Sequence, residues 1–218
     1  MVQGAVCGLA ALPVVFLWVK AAPWTEGNHF VRALVFALLA VPSYAVFGMG
    51  LMAVSPLANR LTGARTPPNV ELRIADMDWA LMRWVRAMVA AHLVRLFAGS
   101  LFRGSPIWTT YLRWNGARIG RRVYVNSLAL SDHELLEFGD DVVIGGGVHL
   151  SGHTVEHGVL RTGTVRLGSG VTVGLGSYVD IDVEVGAGCQ VGAMSFVPKH
   201  SRLEGGAVYA GVPVKRVA

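Results

Sequence analysis

The sequence predicts a chain of two unlike halves: a pair of membrane-spanning helices with an interfacial helix behind them, followed by a triangular coil of short parallel strands. Three observations point there. The chain of 218 residues is 53% hydrophobic and only 15% charged, against about 25% charged in an average soluble domain. Two long runs near the start carry no charge at all. Beyond Ser105 an aliphatic residue returns every six positions, in a region that holds most of the glycines.

The apolar half comes first. Residues 1–19 carry no charge, and residues 33–57 form a second uncharged run. Each is long enough to cross about 30 Å of hydrocarbon at roughly 1.5 Å per residue. A cleaved signal peptide is not expected, because no Lys or Arg precedes the first run and no small-residue cleavage site leads into a polar start. Residues 20–32 (KAAPWTEGNHFVR) read as a polar turn whose Trp24 suits the interface. Arg60, Arg65 and Arg73 after the second run slightly outnumber Lys20 and Arg32 in the turn, so the positive-inside rule puts the rest of the chain in the cytoplasm, with the anchor in the cell membrane. Residues 1–58 are thus expected to be a transmembrane hairpin. Residues 59–105 form a second segment around an amphipathic stretch, 78–102, interrupted by Arg83, Arg86, His92 and Arg95. Such charges are costly at the bilayer centre, so this helix lies in the interface or packs under the following domain.

The charge divides along the same line. Residues 1–105 hold nine Lys/Arg and four Asp/Glu, and residues 106–218 hold ten of each, so the whole formal charge of +5 belongs to the apolar half. Basic residues beside apolar runs meet lipid headgroups, whereas a nucleic-acid binder would gather them on a polar domain. Nucleic acid is not an expected partner; membrane lipid is. Of the two cysteines, Cys7 lies in an apolar run and Cys189 inside the repeat, which predicts no disulfide and a reducing compartment.

The third part, residues 106–218, holds nineteen of the 27 glycines. Leu167, Val173, Val179, Val185, Val191, Val197 and Leu203 are spaced by six. Four places after each stands a small or β-branched residue, from Val171 to Ala207. Upstream, Ile119, Val125, Phe138, Ile144 and Leu150 follow the same rule. A period of six fits neither a helix nor a hairpin meander. It fits a three-sided coil in which each hexad supplies one short strand, its aliphatic inward and stacked on its neighbours. Two polar interruptions, residues 131–137 (SDHELLE) and 151–166 (beginning SGHTVEHG), leave the corners, where a stacked core tolerates insertions and where function commonly sits.

The repeat resembles the hexapeptide-repeat left-handed β-helix over residues 117–208. The tail YAGVPVKRV is similar to the closing segment of hexapeptide acyltransferases, which implies that Gly211, Pro213 and Lys215 lie along the pantetheine arm of an acyl donor. Residues 106–120 (PIWTTYLRWNGARIG), the SGHTVEHG loop and the two upstream runs together resemble the membrane-embedded C-terminal region of nonribosomal peptide synthetases of the ε-poly-lysine synthetase type. That family joins an aminoacyl thioester on a carrier protein to an amino group. The chain departs from it in lacking an adenylation domain and a carrier-protein serine motif. The resemblance implies a carrier protein or adenylation enzyme as partner, and β-helices of this type often form homo-oligomers.

Acyl transfer from a thioester needs a base for the acceptor's proton and no tightly bound cofactor, since the donor, an acyl-CoA or a phosphopantetheinyl carrier protein, is already activated. His153 in the long insertion is the expected base, as imidazole is the side chain that titrates nearest neutrality, and Glu156 is the expected group to orient it. Asp132 in the first insertion, with His133 and Glu134 beside it, is a candidate contact for the acceptor, and His149 and His157 flank the base as further substrate-binding candidates. Lys199, with His200, could meet the donor's phosphates. The spacing of four that links His149, His153 and His157 raises zinc, but it is a helical spacing in a segment without helical pattern, so no metal is expected. Cys189 at the small inward position reads as packing. The expected activity is membrane-anchored acyl or aminoacyl transfer to an amine or hydroxyl. An acetyl-CoA-dependent O- or N-acetyltransferase and a non-catalytic β-helical scaffold module of a synthetase are the alternatives.

Overall fold

The computed structural model describes residues 1–217. Helices α1 (Val2–Ala21) and α2 (His29–Thr62) form an antiparallel hairpin. The Asn28 side chain accepts the Val31 N–H at 3.0 Å to open α2, and Gly63, at φ 63°, closes it in the left-handed region that glycine enters without strain. The helices approach through small residues: a Cβ on Gly50 would stand 3.0 Å from the Ala10 carbonyl. Trp18 Nε1 donates to Ser43 Oγ at 2.7 Å across the pair. Outward, Phe16, Val19, Leu38 and Val41 are each more than 60% exposed, an apolar surface far beyond what a water-facing helix pair carries.

Where two spans were expected, three helical stretches are long and apolar enough to cross a membrane: Val2–Thr25, His29–Thr62 and Trp79–Phe102. The third is the segment expected to lie in the interface. Helix α3 (Trp79–Val94) opens on Asp78, whose carboxylate accepts the Leu81 N–H at 2.7 Å, and continues through a π-helical turn to Phe102. Its inner face, Val94, Ala98 and Phe102, belongs to the same buried cluster as Leu51 and Met52 of α2 and as Val125 and Leu130 of the coil, so it packs beneath the following domain. The 59–105 segment is also not wholly helical. A strand, Glu71–Arg73, precedes α3 and joins a sheet built by the second insertion.

A short helix, Pro106–Trp114, starts with Ser105 as cap and proline at its first position. It lids the open end of the coil. Trp108, Tyr111 and Leu112 are fully enclosed, and Trp108 Nε1 donates to the Ser127 carbonyl at 3.0 Å. From Arg118 onward the chain is a parallel β-helix of three faces. One face pairs Ile119, Phe138, Leu167, Val185 and Leu203 in register; the next pairs Val125, Ile144, Val173, Val191 and Tyr209; the third pairs Leu150, Val179 and Val197, with Leu130 bridged to Leu150. Every aliphatic that the six-residue period marks as inward thus stacks on its counterpart one coil away. Cys189 is buried at the small position as expected, its Sγ 2.6 Å from the Glu204 carbonyl.

Two corrections concern the insertions. Ile119 pairs with Phe138, nineteen positions on, where regular coils such as Val185 to Leu203 advance by eighteen. The 131–137 segment therefore adds a single residue to a coil and forms a tight buried corner, not a solvated loop: Asp132 stands at φ 52° and a 3-10 turn follows at His133–Leu135. The second insertion is ordered too. Strands His153–Glu156 and Val159–Thr162 form a hairpin, and Glu71–Arg73 pairs with its outer strand to complete a three-stranded antiparallel sheet.

Candidate active site

The two insertions leave the coil at the same place. One follows Leu130 and the other follows Leu150, and these two leucines are bridged partners on successive coils of the third face. Stacking therefore brings residues two and three positions beyond them together, although 21 positions separate them in sequence. His153 Nδ1 lies 2.5 Å from Asp132 Oδ2. Gly152 makes this approach feasible, because a Cβ there would stand 2.7 Å from the Asp132 Cβ.

The Asp132 side chain is wholly enclosed. Its second oxygen, Oδ1, accepts from Thr66 Oγ1 and from Trp84 Nε1, both at 3.0 Å, so the helical half supplies two of the three groups that hold it. Burial alone would push this carboxyl up. The hydrogen bonds from His153, Thr66 and Trp84 and the histidine's charge outweigh it and hold Asp132 below the ordinary carboxylate value. An ionised acceptor at Oδ2 places the imidazole proton on Nδ1. The ring is held further by its own backbone, since the His153 N–H donates to Ser151 Oγ at 3.2 Å and Ser151 Oγ donates to the His153 carbonyl at 2.7 Å. Trp84 stands edge-on to the ring at 5.1 Å. The His153 side chain is 21% exposed, and Nε2 makes no hydrogen bond among the described residues. The arrangement can serve general-base chemistry: a carboxylate fixes the ring from behind, and Nε2 has no protein partner in front.

The other expected site residues fall as follows. Glu156 does not reach His153. Residues three apart on a strand point to opposite faces, and Glu156 instead pairs with Lys199 at 2.5 Å and Arg161 at 3.2 Å. The carboxylate that meets the His153 ring is instead Asp132, a candidate contact for the acceptor by sequence; enclosed behind His153, it has no open face for a substrate. Lys199 is engaged with Glu156 and tethers the hairpin to the coil. His157 occupies the hairpin tip, where it and Gly158 take the two positive φ values of a tight turn, about 13 Å along the strand from His153. His133 is buried behind the site, and Glu134 faces a cavity on the far side of the corner. Among the described residues no group of three or more His, Cys, Asp or Glu side chains is arranged to hold a metal ion.

His149 lies on the outer surface of the third face, one position before the inward Leu150 and near enough to His153 to feel its charge. Its ring stacks on Tyr178 at 4.4 Å and 5°, and Tyr178 meets Phe196 at 5.7 Å. Burial, followed by the charges of His153 and Arg95, lowers the His149 pKa. The ladder runs away from the base toward the C-terminal tail, whose Gly211 carbonyl accepts the Phe196 N–H at 2.9 Å and whose Val214 N–H donates to the Phe196 carbonyl at 2.9 Å. Gly211, Pro213 and Lys215 are exposed there. Sequence reasoning did not identify this aromatic strip. Its signal was present, since Tyr178 and Phe196 both stand immediately before an inward aliphatic and so point outward from stacked hexads.

No protein-family model matches the chain. It is 27% identical over 139 residues, 64% of its length, to a delta-poly-L-ornithine synthetase of Acinetobacter baumannii (strain AB307-0294), and it spans about a tenth of that curated relative's length. Among solved structures it is similar to a hexapeptide-repeat-containing acetyltransferase of Vibrio cholerae, at 18% identity over 48% of this chain and 62% of the other, with a TM-score of 0.43. It is also similar to a serine acetyltransferase of Neisseria gonorrhoeae, at 19% identity over 80% of this chain and 54% of the other, with a TM-score of 0.41.

Proposed function

We propose that the protein is a membrane-anchored acyltransferase that moves an acyl or aminoacyl group from a pantetheine thioester to an amine or hydroxyl, with His153 as general base. The observation that carries this reading is the His153 to Asp132 contact at 2.5 Å, with Nε2 uncommitted on a ring that is partly exposed. Nε2 takes the proton of the acceptor N–H or O–H as that atom attacks the thioester carbonyl. The tetrahedral intermediate then collapses, the C–S bond breaks, and the imidazolium returns the proton to the leaving thiolate. Asp132 stays ionised, keeps the proton on Nδ1 and stabilises the imidazolium. An amine acceptor arrives as ammonium at neutral pH and first loses one proton to solvent.

The strip His149, Tyr178 and Phe196 supports a thioester donor. Three strands at about 4.8 Å spacing place its ends roughly 10 Å apart, a length suited to a pantetheine arm laid from the tail at residues 211–214 to the base. The likeness to a poly-ornithine synthetase favours a carrier-bound aminoacyl donor over free acyl-CoA. The exposed apolar helices favour anchorage in a membrane, and the slight excess of Arg60, Arg65 and Arg73 over Lys20 and Arg32 favours the cytoplasmic side for the coil.

The test uses the full chain in detergent with two donors, an acyl-CoA and a loaded carrier protein, and follows thiol release with an amine acceptor. His153→Ala is expected to lower turnover by about 10²–10⁴-fold with the melting temperature little changed. Near-normal turnover in that variant overturns the mechanism, and failure of the wild type to consume either thioester overturns the reaction class.

A further inference from the structure

One face of α2 changes character along its length. Met49, Met52 and Ala53 line an apolar slot of about 410 Å3 together with Ile107, Tyr111 and Trp114. Pro56, Asn59 and Arg60, one and two turns further on the same face, line a polar cavity of about 450 Å3 that also takes Arg65, Arg83 and Glu134. Trp114 borders both. The helix has 34 residues, about 51 Å against a hydrocarbon core of roughly 30 Å, so several turns project beyond the core and the polar cavity falls near headgroup depth.

The polar cavity is unsatisfied. Arg60 spends one N–H on the Trp114 carbonyl at 2.9 Å. Arg83 Nε is buried with no hydrogen-bond partner among the described residues, and a buried guanidinium N–H needs an acceptor. Three guanidinium groups against one carboxyl leave the cavity positive. Its charge suits a phosphate, which arginine binds through paired N–H groups. Neither compartment reaches the catalytic ring: the narrow space that leads on from Asn59, Asn115 and Glu134 ends behind the enclosed carboxyl of Asp132.

We propose that the two compartments together form a binding site for one anionic glycerophospholipid, its phosphate on Arg60, Arg65 and Arg83 and one acyl chain in the slot along Met49, Met52 and Ile107. This rests on the membrane-spanning reading of the helices. A lipid held here would clamp α2, α3 and the Pro106–Trp114 helix against one another beneath the active-site corner, which makes it a structural lipid and not a substrate.

The experiment is native mass spectrometry of the full chain extracted in detergent and supplied in turn with phosphatidylglycerol, phosphatidylcholine and inorganic phosphate. One phosphatidylglycerol is expected to stay bound, at least tenfold preferred over phosphatidylcholine. Arg65→Gln, at an exposed position that leaves packing intact, is expected to lower retention several-fold, and Arg65→Gln with Arg83→Gln at least tenfold. Ala53→Trp, which fills the slot, is expected to abolish lipid retention. Equal retention of the two lipids, or retention unchanged in the double variant, overturns the proposal. Full displacement by inorganic phosphate with no effect of Ala53→Trp also overturns it, in favour of a free-anion site. Recovery of the chain in the aqueous phase without detergent would refute the membrane reading itself, independently of the lipid result.

Discussion

At the scale of single residues, the first insertion gathers ionisable groups whose surroundings push them in opposite directions. Asp132 keeps its charge because three donors meet it; Asp132→Asn keeps the shape but offers an amide N–H to Nδ1, moves the ring proton to Nε2 and removes the base. Turnover is expected to fall about 10²–10⁴-fold, as for the equivalent change in a serine-protease triad, and raising the pH is not expected to recover it. His133, buried, is driven down from 6.5 to about 4 by burial and then by the Arg95 charge. The unfolded chain therefore binds a proton near pH 6.5 that the folded chain refuses until about 4, and stability falls as the pH drops through that window, by about 3 kcal/mol in all. Glu134 is raised from 4.5 to about 7, chiefly by burial, so the folded chain holds a proton between those values that the unfolded chain has lost, and stability falls as the pH rises through them. The two slopes oppose each other between about pH 4.5 and 6.5. Glu134→Gln removes one of them. The variant is expected to melt higher than wild type at pH 8 and to lose stability on acidification below pH 6.5 more steeply, which melting curves from pH 4 to 8 will read directly.

At the scale of elements, the coil was legible and its corner was not. The aliphatic period marks which residues point inward, and Ile119, Val125 and Phe138 stack as marked, although the first break shifts their pairing from eighteen to nineteen positions. His153 was visible because an imidazole stood in the longest break of the repeat. Its partner is hidden from proximity along the chain: Glu156 is three positions away but on the opposite strand face, while Asp132 is 21 positions away and one coil below. Counting hexads would have shown both breaks following the third face of consecutive coils. The helical end of the site, Trp84 and Thr66, had no such signal, since nothing in an amphipathic pattern says which Trp meets a carboxylate. Gly152 is where the two insertions touch. Its substitution by alanine sets a methyl 2.7 Å from the Asp132 Cβ and 3.0 Å from the Leu135 Cβ, a cost of about 1–3 kcal/mol where the core cannot give. Gly152→Ala is expected to lower the melting temperature and to reduce turnover at least tenfold by widening the His153 to Asp132 contact, with unaltered donor binding. Wild-type turnover in this variant would mean that the corner is slack.

At the scale of the whole molecule, the site is a joint product of the two halves. The coil supplies Asp132 and His153, but the donors on Asp132 Oδ1 come from Thr66, just beyond α2, and from Trp84 in α3. One continuous apolar cluster runs from Val6 and Leu51 through Val94 and Ala98 to Trp108 and the coil interior, so the helices set the position of those donors. On the proposed reading, the helical half therefore helps to build the site and is more than a tether. The sign of its contribution follows from the carboxylate. Thr66 and Trp84 both favour the ionised form of Asp132, so removing them raises its pKa toward the value that burial alone would set. The carboxylate then takes up a proton at a higher pH, and support for the imidazolium is lost there. Thr66→Val with Trp84→Phe keeps volume and ring packing while deleting both donors. The expected outcome is a turnover profile whose acid limb moves to higher pH, with the rate on the alkaline plateau closer to wild type than the rate at pH 6. A uniform loss across the profile would instead mean that the two residues act by packing alone, and an unchanged profile would mean that the coil holds its dyad without the helices.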